Sequence, residues 1–326
     1  MIKYFRLFIN GGVVSAVMLF SGSSGICAQI TSLNSKIIFL KNEDSSLTFL
    51  NEVQGIDILR MAKVLASDSM EGRATGSKGF EKAANLVSEH FKVHDIKVQF
   101  QNFKLAKKDL RTKIFIDSTA GDSVRAFNLI GFLEGTELKD EFVVISAHLD
   151  HLGKNDDKIY HGANDNASGV SVMMELAEMF VAHRPKRSML FIAFTGEEAG
   201  LLGSEFFVSH PWMDLEKIRW MVNLDLVGSG SEGLMIQGYE HFLKDFEAVS
   251  NLNKKYFHFE LSTRPNSPNS DQYFFNAQGV PAFFIYAYKG TIPYHDPQDT
   301  WEKLDPVILE NVAKFVALCV LHFSAN

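Results

Sequence analysis

Cysteine is scarce in this sequence: among its 326 residues there are two, Cys27 and Cys319. This scarcity excludes the dense disulfide framework that holds many small exported domains together. Cys319 lies in the apolar run FVALCVLHF, which is typical of a buried helix, and we interpret it as a small buried hydrophobe. The fold is therefore expected to be held together by its apolar core.

Positive charge is also in short supply. The formal net charge is −7, which argues against nucleic acid as a partner because nucleic acid selects basic stripes. The densest basic patch, His183–Arg187, is interpreted as an exposed turn between a helix and a strand. Internal repeats and low-complexity blocks are absent, and 46% hydrophobic and 22% charged residues are typical of a globular protein with a sizeable core.

The N-terminal region lacks an apolar run long enough to span a membrane comfortably. The apolar stretch Leu7–Phe20 follows the basic residues Lys3 and Arg6, and small residues come after it. A transmembrane helix needs about 20 apolar residues, which is more than this stretch provides. A charged start, a short apolar stretch and small residues predict a secretory signal peptide.

The predicted cleavage point is after Ala28, so that residues 1–28 are the signal peptide and the mature chain begins at Gln29. We therefore expect export to the periplasm or the exterior, without stable membrane insertion after cleavage. The alternative is a lipid anchor on Cys27, but the bulky Ile26 precedes it where a lipobox has a small residue.

The rest of the chain divides into two parts. Residues 29–54 have weak periodicity and predict a loosely docked N-terminal arm. In residues 55–326 apolar strands alternate with amphipathic helices, which predicts one α/β domain whose sheet is covered on both faces. The predicted helices cover residues 57–67, 78–94, 168–183 and 199–209, and a last helix begins near Asp305, which can cap it ahead of Pro306. The predicted strands cover residues 98–105, 112–116, 126–135, 141–150, 188–195, 220–228, 233–238, 256–262 and 280–288.

Side chains capable of chemistry follow several of these strands. In sheets of this kind ligands bind beyond the carboxyl ends of the strands, so residues far apart in sequence can share one rim. The candidates are His148 and Asp150 after FVVIS, Glu197 and Glu198 after FIAFTG, Asp225 in WMVNLD, and His295 after VPAFFIYAY.

The stretch from His148 to Gly169 holds three His and four Asp. Residues two apart in a strand face the same way, so Asp150 can stand beside His148 and orient its ring. Asp165 has two interpretations, a simple helix cap or a carboxylate that bridges two cations. Asn166 also matches a glycosylation sequon, which we interpret as a coincidence.

Glu197 and Glu198 are adjacent carboxylates, which repel each other unless something compensates them. Because adjacent side chains diverge, one can bind a metal ion while the other takes a proton from water. An exposed acidic turn is the alternative. Asp225 is flanked by apolar residues and needs a cation or hydrogen-bond donors, because a buried unpaired carboxylate is costly.

Together these positions give a set of two His and three carboxylates: His148, Asp165, Glu198, Asp225 and His295. Such ligands suit borderline ions, and zinc fits best. With no Cys in the set, a closed structural zinc site is not expected. One shared Asp with two further ligands for each ion gives two open sites, which together can activate water and polarise a carbonyl group.

Five blocks in this order resemble the co-catalytic di-zinc aminopeptidases related to bacterial leucyl aminopeptidase, a family that also holds glutamate carboxypeptidases and glutaminyl cyclases. The blocks are SAHLDHLG, GANDNASGVSVMMELA, LFIAFTGEEAGLLGSEFF, NLDLVG and YHDPQDTWEKLD. The resemblance extends from about Gly55 to the C-terminus. It implies a zinc peptidase domain built as a three-layer α/β sandwich, with a central, mostly parallel mixed sheet and helices on both faces.

The resemblance also implies a set of three ligands for each of two zinc ions. His148, Asp165 and Asp225 would bind one ion. Asp165, Glu198 and His295 would bind the other, so that Asp165 bridges the two ions. The peptide bond between Asp165 and Asn166 would be cis.

The remaining roles are implied in the same way. Glu197 would be the general base, and Asp150 would be the partner of His148. Tyr294 would steady the oxyanion, unless it is only a packing aromatic. Gln272, after Asp271, departs from the family pattern, in which a His often stands at this place.

The activity implied is the removal of N-terminal residues from peptides. An acidic rim attracts a free α-amino group, and the metal loops lack the Arg with which carboxypeptidases hold a substrate carboxylate. A carboxypeptidase or dipeptidase of the same family stays open, as does a single-zinc acyltransferase that resembles glutaminyl cyclase. A non-catalytic binding protein on this fold would have broken ligands, and none of the five is broken. The sequence leaves the oligomeric state open.

Overall fold

The computed structural model describes residues 5–9, 12–16, 45–106, 122–230, 233–290 and 292–326. The chain forms two compact units, Met1–Ile37 and Ile38–Asn326. In the first unit two strands, β1 (Phe5–Ile9) and β2 (Gly12–Ala16), pair antiparallel. The predicted cleavage point after Ala28 lies outside the described residues, so the signal peptide stays a prediction.

An eight-stranded sheet is the centre of the second unit. Its strands are β3 (Lys97–Ala106), β4 (Ser123–Leu133), β5 (Leu138–His148), β8 (Arg187–Phe194), β9 (Ile218–Leu224), β10 (Gly233–Gln237), β11 (Glu260–Arg264) and β12 (Ala282–Tyr288). A separate short hairpin is formed by β6 (Gly153–Asn155) and β7 (Lys158–Tyr160). In the eight-stranded sheet the order of the strands is β11-β10-β12-β9-β5-β8-β4-β3. Four of the neighbouring pairs in the large sheet are parallel and three are antiparallel, so the predicted mixed, mostly parallel sheet is confirmed.

Helices cover both faces of this sheet. They are α1 (Gly55–Leu65), α2 (Lys78–Val93), α3 (Ser168–Ala182), α4 (Leu202–Ser209), α5 (Leu243–Tyr256), α6 (Gln272–Ala277) and α7 (Pro306–Ala325). Successive side chains of a strand point to opposite faces. In β5, Val143 and Ile145 accordingly pack in a cluster with α1, α2, α3, α5 and α7, whereas Val144 packs on the other face with α4 and α6. The three-layer sandwich is confirmed.

The last helix begins where its cap predicted. Asp305 accepts a hydrogen bond of 2.8 Å from the backbone N–H of Val307, and Pro306 occupies the first turn. Within the described residues, α7 is the one helix long and apolar enough to cross a membrane, but 67% of its apolar window is buried inside the protein. We interpret it as a core helix, and Cys319 within it is fully buried as expected.

The described part of the N-terminal arm packs into the core. Residues Ser45–Glu52 form a 3₁₀ helix, and the side chains of Leu50 and Val53 are fully buried. The ring centroids of Phe49 and His183 lie 4.8 Å apart. We expected a loosely docked arm, but these apolar side chains dock this part of it firmly because burial removes them from water.

Candidate metal centre

Four adjacent parallel strands, β12, β9, β5 and β8, end at one edge of the sheet. β5 ends at His148, and Asp225 follows β9 directly. Glu197 and Glu198 come shortly after β8, and His295 lies in the loop after β12. Since the carboxyl ends of parallel strands meet, residues separated by up to half of the chain come together here.

The first cluster of this site is formed by His148, Asp165 and Asp225. Nε2 of His148 lies 3.3 Å from Oδ1 of Asp165 and 3.3 Å from Oδ1 of Asp225. All three side chains are buried. One ligand atom from each residue lies within 4.8 Å of the others, as a shared cation requires.

The second cluster shares Asp165 with the first. Nε2 of His295 lies 3.3 Å from Oδ2 of Asp165 and 3.1 Å from Oε2 of Glu198. Thus one oxygen of Asp165 faces His148 and the other faces His295. The five residues predicted as ligands therefore lie together, with Asp165 between the two clusters.

His151 is a member of the second cluster that was absent from the predicted set. It is fully buried, and its Nδ1 lies 2.7 Å from Oε1 of Glu198 and 3.8 Å from Oδ1 of Asp165. Each oxygen of the Glu198 carboxylate thus meets a different imidazole, that of His151 or that of His295. The sequence signal for this residue was its position three residues after His148, in HLDH.

Asp150 contacts His148 in a different way from the one predicted. Nδ1 of His148 donates to the backbone carbonyl of Asp150 at 3.0 Å, whereas the Asp150 carboxylate is 4.0 Å away. That carboxylate instead accepts hydrogen bonds from Thr75 Oγ1 (2.7 Å) and from the backbone N–H of Glu197 (3.2 Å). Since a carbonyl oxygen can only accept, this bond places the proton of a neutral His148 on Nδ1 and leaves the lone pair on Nε2.

The turn that carries Asp165 is held by a second carboxylate. Asp299 accepts hydrogen bonds from the backbone N–H groups of Asn164 (2.8 Å) and Asp165 (3.0 Å). The peptide bond between Asp165 and Asn166 is cis, as the resemblance implied. Asp299 was also absent from the predicted site, although it lies in the block YHDPQDTWEKLD.

A buried arginine, Arg73, ties three segments around the site. Its guanidinium donates to the carbonyl oxygens of Leu65 (2.7 Å), Leu149 (3.0 Å), His161 (2.7 Å) and Gly162 (2.8 Å). Burial lowers the pKa of Arg73 to about 10, which still leaves it protonated at neutral pH. Arg73 is not among the site residues predicted from the sequence.

Carboxylates dominate the electrostatics of the site. Burial by itself would lower the pKa of His148, but Asp225 and Glu197 raise it well above its usual value. Burial also lowers the pKa of His295, but the carboxylates of Asp165 and Glu198 outweigh this effect and raise the pKa to about 10. Groups that bind protons this tightly sit in a strongly negative potential, which favours cations.

Several buried atoms at the site have no hydrogen-bond partner in the part of the chain that the structure describes. They are Nε2 of His148, Oδ2 of Asp165, Oδ1 of Asp225 and Nε2 of His295. Buried polar atoms are normally satisfied, and a cation satisfies such a group of lone pairs together. Imidazole nitrogens and carboxylate oxygens without a thiolate fit zinc ions in open sites.

Glu197 differs from Glu198 in its contacts. It is half-buried and has no place in either cluster of ligand atoms. Burial raises the pKa of its carboxyl group well above the usual value; His148 opposes the rise, while Glu198 and Asp225 add to it. A carboxylate that lies beside the ligands without being one of them is placed to accept a proton.

Tyr294 and Asp271 flank the site. The ring of Tyr294 stacks on His295 with centroids 3.7 Å apart, and its side chain is 66% exposed. Its role toward an oxyanion stays a prediction. Asp271 is fully buried, and burial raises its pKa to about 7.

Comparisons with known proteins agree with this geometry. The model of "Peptidase family M28" matches residues 128–320, more than half of the chain. "Aminopeptidase YwaD" of Bacillus subtilis (strain 168) is 28% identical over 225 residues, which are 65% of this chain and 46% of that protein. The chain spans less than half the length of the curated relatives it matches.

Two solved structures are equally similar in fold. The aminopeptidase from Aneurinibacillus sp. strain AM-1 has a TM-score of 0.69 at 19% identity, over 83% of this chain and 94% of that one. The Bacteroides thetaiotaomicron glutaminyl cyclase bound to N-acetylhistamine also has a TM-score of 0.69 at 19% identity, over 82% of this chain and 98% of that one. At these identities the likeness establishes the fold and does not separate hydrolase from cyclase. Sequence family, fold and the arrangement of acids and imidazoles agree, and the chain belongs to peptidase family M28.

Proposed function

We propose that this protein is a zinc-dependent aminopeptidase, which hydrolyses the N-terminal residue from peptides. The observation that carries the proposal is the pair of clusters that share Asp165, with the unliganded carboxylate of Glu197 beside them. The similar proteins named aminopeptidase support the same activity.

The ligands divide between the two ions as the clusters do. His148, Asp165 and Asp225 would hold one zinc ion, and Asp165, Glu198 and His295 would hold the other. His151 orients Glu198 through the 2.7 Å contact with its Oε1, leaving Oε2 toward His295. When bound, two zinc ions supply Lewis acidity that lowers the pKa of a water molecule and polarises the carbonyl group to be attacked.

Glu197 moves the proton in this mechanism. Its carboxylate accepts a proton from the attacking water, and the resulting carboxyl group passes that proton to the nitrogen of the leaving amine. The hydrogen bond from its backbone N–H to Oδ1 of Asp150 (3.2 Å) fixes its backbone relative to the loop that carries His148. A positioned general base of this kind typically contributes about 10²- to 10⁴-fold to the rate.

The charges around the site favour a substrate with a free α-amino group. Bound zinc ions would offset the charges of Asp165, Glu198 and Asp225, whereas Glu197 is not a ligand and keeps its negative charge, which attracts a cationic amine. The buried guanidinium of Arg73 donates to backbone carbonyls and is not presented to a substrate.

A cavity of about 240 Å³ adjoins the metal centre. Its wall includes Tyr286, Tyr288, Ile292 and Tyr294, which suits an apolar substrate side chain. Lys289 also contributes to this wall, but its Nζ pairs with Glu260 at 2.7 Å. A lysine engaged in this way is a poor partner for a substrate carboxylate, which supports an aminopeptidase over a carboxypeptidase.

The test uses a matched pair of peptides with an apolar first residue, one with a free N-terminus and one acetylated, with products identified by mass spectrometry. We expect the free peptide to lose its first residue. The acetylated peptide should react at about one hundredth of that rate or below it. It lacks the charged amine, and with it a hydrogen bond to a charged group worth roughly 3 kcal/mol.

Two outcomes would contradict the proposal. Equal cleavage of the acetylated peptide with release from its C-terminus would make the protein a carboxypeptidase. A third peptide that begins with Gln separates the cyclase alternative, because a cyclase releases ammonia from it without shortening the chain. The same reactions with the Glu197→Gln variant control for contaminating peptidases.

We also propose that the protein is exported and that its mature chain begins at Gln29. The charged start, the apolar stretch Leu7–Phe20 and the small residue Ala28 support this. N-terminal sequencing of protein recovered outside the cytoplasm is expected to start at Gln29, and a version without residues 1–28 should stay inside the cell. Retention of the uncleaved N-terminus, or a lipid on Cys27, would be inconsistent with this proposal.

A further inference from the structure

A second group of metal-binding side chains lies away from the candidate metal centre. His90 and His94 are four residues apart at the C-terminal end of α2, and Glu178 lies on α3, which packs beside it. One ligand atom from each of the three lies within 4.8 Å of the others. Glu178 is ten residues beyond the start of α3 at Ser168, which is roughly 15 Å along the helix axis from the turn that carries Asp165.

We propose that His90, His94 and Glu178 form an additional binding site for a divalent transition-metal ion such as Zn²⁺, separate from the catalytic ions. Two imidazoles and a carboxylate are the ligand types that zinc takes in open sites. Residues four apart on a helix lie on the same face, so both His side chains reach the same ion.

The geometry of these side chains matches zinc coordination. Nε2 of His94 lies 3.4 Å from Oε2 of Glu178. Ligand atoms about 2 Å from a tetrahedral zinc ion are roughly 3.3 Å apart, so this pair is already spaced for a shared ion. The rings of His90 and His94 lie 4.7 Å apart, centroid to centroid.

A backbone contact prepares His90 for such a role. Nε2 of His90 lies 3.0 Å from the carbonyl oxygen of Met174, which is four residues before Glu178 on α3. Because that oxygen can only accept, Nε2 carries the proton of the neutral ring, and Nδ1 keeps its lone pair. Metal-binding His residues usually make such a bond with their other nitrogen.

Exposure decides how the site would behave. The His94 side chain is 25% exposed and that of Glu178 is 53% exposed, so an ion can enter without opening the fold. With three protein ligands the site is open, and water would complete the coordination. A bound ion would cross-link the end of α2 to α3 and stabilise the folded state in proportion to the logarithm of its free concentration.

The experiment compares zinc stoichiometry in the holoprotein by equilibrium dialysis against a fixed excess of free Zn²⁺. His94→Asn and Glu178→Gln should each bind one zinc ion per chain fewer than the wild type. The comparison uses this difference, so it does not depend on how many ions the catalytic centre holds. His241→Asn is the matched control, because His241 is exposed and belongs to none of the groups of potential ligands that the described residues form. This variant should bind as many ions as the wild type.

A second measurement separates binding from misfolding. With chelator present, both variants should unfold thermally at the wild-type temperature, whereas excess zinc should raise the unfolding temperature more for the wild type than for either variant. Wild-type stoichiometry in both variants would overturn the site and leave only an ion pair between His94 and Glu178. A deficit in one variant alone would also overturn it, because the proposal requires both ligands.

Discussion

Replacing Glu197 by Gln is expected to lower kcat by about 10²- to 10⁴-fold, without loss of zinc or change in thermal unfolding. The substitution keeps the size of the side chain and removes only its capacity to accept a proton. Glu197 has no place in either cluster of ligand atoms, so the metal ions should bind as before. The measurement is kcat on a free peptide together with zinc content per chain.

Glu198→Gln supplies the contrast for this prediction. Glu198 contacts His151 at 2.7 Å and His295 at 3.1 Å, within the second cluster. Its amide variant should therefore lose zinc as well as activity. A kcat near that of the wild type in Glu197→Gln would show that another group moves the proton. Loss of zinc from Glu197→Gln would instead make Glu197 a ligand.

Arg73→Met is expected to lower the free energy of unfolding by roughly 3 kcal/mol or more. The side chain is 1% exposed and donates to four carbonyl oxygens, those of Leu65, Leu149, His161 and Gly162. An apolar replacement of similar length leaves these acceptors without their donor, and each unsatisfied buried group costs about 1 to 3 kcal/mol. Urea unfolding at a fixed free zinc concentration measures the change.

Two further variants make this prediction specific. Arg73→Lys should recover only part of the stability, because one ammonium group cannot reach acceptors spread around a planar guanidinium. Arg60→Met should leave stability nearly unchanged, since Arg60 is exposed and, among the described residues, its ion pair is with Asp57 on the same helix turn. The role assigned to Arg73 would be wrong if Arg73→Met and Arg60→Met unfolded at the same urea concentration.

Arg73 also connects stability to the site. Leu149 immediately follows His148, and Gly162 precedes the turn that carries Asp165. The same guanidinium therefore holds two of the three segments that supply ligands to the first cluster. We expect Arg73→Met to weaken zinc binding as well as the fold, although its side chain does not belong to either cluster.

Most of the secondary structure could be predicted because its apolar pattern is strong. The helices α1, α2, α3 and α7 and the central strands lie where the sequence predicted them. Helix α5 (Leu243–Tyr256) was not predicted, and the strand expected over residues 256–262 begins only at Glu260. The buried residues of α5 are Val249, Asn253 and Tyr256. Because this buried face is small and only partly apolar, the sequence has little apolar periodicity that would predict a helix. The strand predicted over residues 112–116 lies outside the described residues.

The sequence by itself determined the types of residue at the metal centre and their positions at strand ends. Apolar strands followed by His148, Glu198, Asp225 and His295 place these side chains at the edge where parallel strands end, because that edge is common to all of them. The negative charge of the site follows from the same residues.

Only the tertiary structure decided which atoms meet. It showed that His148 is oriented by the backbone carbonyl of Asp150 and not by its carboxylate, and that His151 joins His295 at Glu198. It also brought Arg73 to the loops of the site and Glu178 to His94. Periodicity reports which face of a helix or strand is buried, whereas these contacts depend on loop paths and on how two elements pack, and no local pattern encodes them.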